Sequence, residues 1–177
     1  MGLDLSRRDA ELVPVEGWVT GLRFDDRLVY LWYGPDQSDK DCVAARPGRL
    51  ITFASDEDCR VEAKERGWPP ADADDGVVEV TDLRPAQDWL RGKRASLNLQ
   101  SALDLWNWGG DVAHSAGLPW NDSSALRKDC YDKLFAAAVP WVFKKESYTP
   151  VWSPRQLRAL REVLGQAIHL LRTTTQD

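Results

Sequence analysis

The side chains whose type and spacing suggest chemistry are few: His114 and His169, Cys42, Cys59 and Cys130, and the carboxylates Asp104 and Asp111. A zinc site needs ligands that converge at characteristic spacings, and neither histidine has a ligand type at i+3 or i+4. Nucleophilic catalysis needs Ser or Cys within reach of a base, but His114 and Ser115 are neighbours only along the chain. Cys130 has Leu126 and Leu134 one helical turn to either side, which marks a core thiol. Asp104 and Asp111 are seven residues apart, on one helical face, and a glycosidase-like pair would also need a cleft and one raised pKa. There is no phosphate-cradling glycine loop. The sequence therefore predicts no catalytic residue, no metal site and no cofactor.

Charge carries more information. Residues 1–82 hold 19 Asp and Glu against 10 Lys and Arg, whereas residues 83–177 hold 9 against 13. With a net charge of −5 and a pI near 5.1, the chain lacks the basic face that phosphate contact demands, so nucleic acid is not an expected partner. The odd cysteine count without CxxC spacing argues for reduced, partly buried thiols over a disulfide framework. No apolar run approaches the roughly 20 residues of a spanning helix, and Met1–Ala10 has no apolar core of a secretion signal. The expectation is a cytoplasmic protein with no membrane contact.

The elements that must position these groups read as a single α+β domain over residues 1–177, with a small antiparallel sheet in the N-terminal half packed against several helices. Val13–Trp18 and Arg27–Tyr33 form a hairpin about a turn near Phe24-Asp25-Asp26. Arg49–Ala54 is a third strand and Val77–Val80 a fourth. Between these, Ser55 caps a helix whose first turn carries Asp56, Glu57 and Asp58 at the positive end of the dipole, and Gly67 and Trp68-Pro69-Pro70 end it. Ala71–Gly76 (ADADDG) is an acidic loop.

In the C-terminal half, Asp82 caps a short helix through Leu90, and a buried helix runs from about Ser96 to His114 with Gly109-Gly110 as a kink or a close contact. Asp122 or Ser123 caps the next helix, Ala136–Trp152 is an extended packed loop, and Ser153-Pro154 starts the last helix. Thr173–Asp177 reads as a frayed tail. Most of the nine Trp belong to the core. Trp68, between a helix stop and the acidic loop, is the expected exposed anchor of a partner-binding face formed with Asp72, Asp74, Asp75, Asp56, Glu57 and Asp58. The alternative is a sugar- or base-binding pocket around Trp106, Trp108 and Trp120, with Asp111 and His114 as acid or base.

The segments LDLWNWGGDVAHS (Leu103–Ser115), YDKLF (Tyr131–Phe135) and YTPVW (Tyr148–Trp152) resemble the layout of immunity proteins of bacterial polymorphic-toxin and contact-dependent inhibition systems. The resemblance covers about the C-terminal half. It implies a cytosolic protein that binds a cognate toxin domain, often a nuclease with a basic surface, and blocks it without chemistry of its own. An acidic N-terminal half suits such a partner.

Overall fold

In the computed structural model, which describes residues 10–144 and 146–176, the hairpin forms with a shifted first strand. β1 (Trp18–Phe24) pairs antiparallel with β2 (Arg27–Pro35), from Trp18↔Tyr33 to Phe24↔Arg27. The preceding run, expected as strand from Val13, joins no ladder: Leu12 and Gly17 make isolated bridges to Ala45 and Pro70, the Val15 amide donates to the Pro35 carbonyl, and Pro14 has no amide to offer. A three-residue strand that alternation did not reveal, β3 (Asp41–Val43), adds to β2. The expected strand Arg49–Ala54 is split. β4 (Ala45–Arg46) and β5 (Arg49–Leu50) make a separate two-stranded piece around Pro47-Gly48, while Phe53 reaches Tyr30 by one bridge.

α1 (Asp56–Glu65) begins where expected, with the Ser55 hydroxyl accepting the Asp58 amide at 3.0 Å. The strand expected at Val77–Val80 lies two residues later as β6 (Glu79–Asp82), and it runs parallel to β1 from Thr20↔Glu79 to Arg23↔Asp82. The sheet is thus mixed, in the order β3-β2-β1-β6, and not antiparallel throughout. A parallel neighbour needs a long crossover, and here the crossover contains β2 to β5 and α1.

Four helices follow: α2 (Arg84–Leu90), α3 (Leu99–Ala116), α4 (Ala125–Ala138) and α5 (Pro154–Thr174). Leu83 occupies the cap of α2, with the Asp82 carboxylate accepting the Arg84 amide at 3.0 Å. Asn98 caps α3 and Ser124 caps α4, each side chain accepting the amide three residues on. α5 starts as read, with a reciprocal Ser153–Gln156 capping box. Pro140–Phe143 form a 3-10 turn, and Trp141, Val142, Phe143 and Val151 are exposed, so this stretch is not the packed loop expected of it. Lys145 lies outside the described residues, as do Met1–Asp9 and Asp177.

Alternation along β1 and β2 sends Leu22, Phe24 and Leu31 to one face, against α2, α3 and α5, and Val19 and Trp32 to the other, under α1. With both faces covered, the Leu28–Tyr33 run is apolar almost throughout. α3 and α5 cross closely at Gly109, where an added Cβ would sit 2.7 Å from that of Ala167; of the two outcomes open in the sequence, the glycine pair is a close contact inside a continuous helix.

Asp25 turns the hairpin at φ 49°, a left-handed conformation that aspartate tolerates. Its carboxylate accepts from Arg172 at 2.7 and 3.0 Å and from Arg91 at 2.6 Å, and the Arg172 guanidinium above all, with Gln87, holds the carboxyl down at about 2. This knot ties the turn to α2 and α5. Thr174 and Thr175 of the expected frayed tail are buried, and Arg27 donates to the Thr175 hydroxyl, so these two are docked.

Candidate functional site

The acidic loop does line a groove. Asp72, Asp74 and Asp75 face Glu16 from the strand approach and Glu79 at the head of β6 across a space of about 470 Å³, with Trp18 as its aromatic wall. No Lys or Arg belongs to this lining among the described residues. The loop is held by its own acids: Asp74 accepts the Gly76 amide and Asp75 the Val77 amide, both at 2.9 Å. Arg60 of α1 pins it from behind, donating to the Gly76 carbonyl at 2.7 Å and lying 3.9 Å from the Asp74 carboxylate.

The expected face is corrected at its centre. Trp68 is only 7% exposed and packs on Trp32 and Phe53 in the smaller core cluster, with the Arg66 guanidinium over its ring. A helix stop followed by two prolines turned the chain back onto the sheet and not out to solvent, because the Gly17 amide pairs with the Pro69 carbonyl and the Ala71 amide with the Gly17 carbonyl. Asp56, Glu57 and Asp58 surround the start of α1 and do not line the groove. The groove's ring is Trp18, which local pattern could not single out: it meets Val77 and Glu79 only through the parallel β1–β6 pairing.

Several other N-terminal acids have partners. Glu11 pairs with Arg66 and Arg46 at 2.8 and 3.1 Å, Asp36 with His114 at 2.7 Å, and Asp82 with Arg84 at 2.7 Å. Hydrogen bonds from these partners lower the carboxyl pKa of all three. Asp72 and Glu79, by contrast, are exposed and form no described ion pair, so their charge stays available at the groove.

A second concavity of about 460 Å³ lies beside α3, lined by Asp111, Asp41, Asp122, Tyr33, Trp106 and Trp120 among others. This partly matches the alternative site. Trp120 is half-buried and lines it, but Trp106 is 2% exposed and Trp108 is buried and outside the lining, packed on Tyr33 at 5.1 Å centre to centre. His114 is directed to Asp36 and does not line the cavity, and Asp104 bonds Gln100 further down α3, so neither joins Asp111 as an acid–base partner there. Sequence reading missed Tyr33, Asp41, Asp122 and Tyr131 because four separate elements bring them together. The three thiols are buried and free, and burial raises them to about 12 for Cys42 and Cys59 and about 11 for Cys130, well away from a reactive thiolate.

Asp111 is the perturbed acid of this cavity. Burial, and then the charge of Asp41, push its carboxyl up to about 7, against a long 3.3 Å hydrogen bond from the Tyr33 hydroxyl. The same burial and charges raise the Tyr33 phenol. A carboxyl raised on folding keeps its proton in the native state after the unfolded chain has lost it, so stability declines as pH rises from about 4 to about 7. Asp111→Asn, which preserves an acceptor for Tyr33, is expected to stabilise by about 2 kcal/mol at pH 8 and by nothing measurable at pH 4. Thermal unfolding at the two pH values checks this, and equal shifts would contradict it.

Among the described residues no helix is long and apolar enough to cross a membrane, and no three His, Cys, Asp or Glu side chains converge as a metal-holding group. No protein-family model matches the chain, and no curated protein matches it. Among solved structures, the C-terminal domain of SatS in complex with bromine is similar at 13% identity and a TM-score of 0.47, over 92% of this chain and 94% of that one.

Proposed function

We propose that the protein is a cytoplasmic immunity protein that binds a cognate, basic toxin domain of the nuclease type and neutralises it by covering its surface, without catalysis. The observation that carries this reading is the groove: five carboxylates and one aromatic ring, with no cation in the lining among the described residues. Such a field accelerates encounter with a positive surface and disfavours other partners. Turn bonds and Arg60 already order the loop, so little chain entropy is lost when a partner docks. Trp18 offers the kind of ring on which binding energy concentrates. The resemblance in the C-terminal half supplies the class of partner.

Growth of cells expressing the reading frame adjacent to this gene, with and without this protein, tests the proposal. Wild type is expected to restore growth. Asp72→Lys combined with Glu79→Lys reverses two exposed charges and is expected to weaken the complex about 30-fold or more, with protection lost. Full protection by that variant would remove the groove from the interface, and no protection by wild type would remove the function.

A further inference from the structure

We infer that the cavity beside α3 binds a guanidinium group, that of an arginyl residue. Three carboxylates, Asp41, Asp111 and Asp122, stand around it, and no Lys, Arg or His contributes to its lining among the described residues. These acids do not converge as a metal-holding set. Their charge is spread around about 460 Å³, which suits a flat, delocalised cation better than a point charge. A guanidinium is planar, weakly hydrated and rich in N–H donors, and it stacks on aromatic faces; Tyr33, Trp120 and Tyr131 supply rings in the wall.

Two groups in the wall are under-partnered, and the Asp111 carboxylate is the one that bears on a ligand. The Asp111 carboxylate has one described hydrogen bond, at 3.3 Å, and a carboxylate can accept several. Trp106, 2% exposed, has its Nε1–H buried without an acceptor, where such donors normally find one. A ligand that brings N–H donors meets the spare acceptor capacity of Asp111. Position agrees with this. Tyr33 of the cavity and Trp18 of the acidic groove are cross-strand partners in edge contact at 5.5 Å, so the two sites are neighbours. That the arginine belongs to the toxin rests on the function proposed above; the chemistry of the cavity does not.

The test is titration of Nα-acetyl-argininamide into the full-length protein at pH 8, followed by calorimetry and Trp fluorescence, with Nα-acetyl-citrullinamide as the neutral isostere. Saturable binding of the arginine probe is expected, with the citrulline probe at least about tenfold weaker, since it keeps the shape and loses the charge. Asp111→Asn is expected to weaken the arginine probe by a similar factor with an unchanged far-UV spectrum, and Asp122→Asn serves as a second variant outside α3.

The groups facing Asp111 are Tyr33 from β2, Asp41 and Cys42 from β3, Asp122 before α4 and Tyr131 on α4, with Asn107 on its own helix. Asp111 takes up a proton near pH 7, so wild-type affinity should fall about tenfold from pH 8 to pH 6. Absence of saturation, equal binding of the citrulline probe, or unchanged affinity in both variants overturns the inference. Failure of the adjacent reading frame to be neutralised would leave probe binding intact, so the two proposals fail separately.

Discussion

Gly109→Val is expected to destabilise the protein by about 3 kcal/mol, while Gly110→Ala, one residue on, is expected to stabilise it by up to about 1 kcal/mol. At 109 a new Cβ would lie 2.4 Å from Cη2 of Trp120 and 2.7 Å from the Ala167 Cβ. The indole can swing, but the Ala167 Cβ is fixed to the backbone of α5, so the helices must separate. At 110 the nearest atom is Trp120 Nε1 at 3.4 Å, an ordinary contact, and the helix gains a better former. Thermal unfolding should show a midpoint about 9 °C lower for the first variant and a few degrees higher for the second. Matching signs would mean that the α3–α5 crossing is looser than this geometry.

Trp68→Ala is expected to cost about 4 kcal/mol, in the range for large aromatics removed from a core. The ring is 7% exposed and closes the smaller cluster with Trp32, Phe53 and Ala63. Denaturant unfolding should show a lower midpoint with an unchanged slope. Were Trp68 a surface anchor, the same variant would keep its stability and lose only partner affinity, so measuring both separates the two roles.

Trp68 also marks the limit of what the sequence discloses. Local signals were sound where they were local: Ser55 and its acids start α1, Ser153-Pro154 start α5, Asp25-Asp26 turn the hairpin, and the acidic loop is a loop. The α+β class follows from them. Misreadings arose wherever a residue's fate depends on a distant segment. Trp68 looks exposed until the Gly17 ladder pulls it under the sheet, and the antiparallel expectation failed because no local pattern distinguishes a parallel from an antiparallel neighbour for β6. Trp18 enters the groove through that same pairing. Thr174 and Thr175 are buried, and the one distant partner described for them, Arg27 at the Thr175 hydroxyl, lies 148 residues away, where no local pattern reveals it.

The parallel placement of β6 also has a kinetic consequence. The Thr20 hydroxyl and the Glu79 carbonyl that it meets are separated by 59 residues, so β1 acquires its second neighbour only after a long loop has closed. The β1–β2 ribbon, a nearest-neighbour structure, is free to assemble first and to wait with one side of β1 open. Until β6 arrives, that bare ladder is the place where a nascent chain is most able to capture another copy of itself. Dilute refolding should therefore be cleaner than concentrated refolding, and the acids flanking β6 help to keep waiting molecules apart.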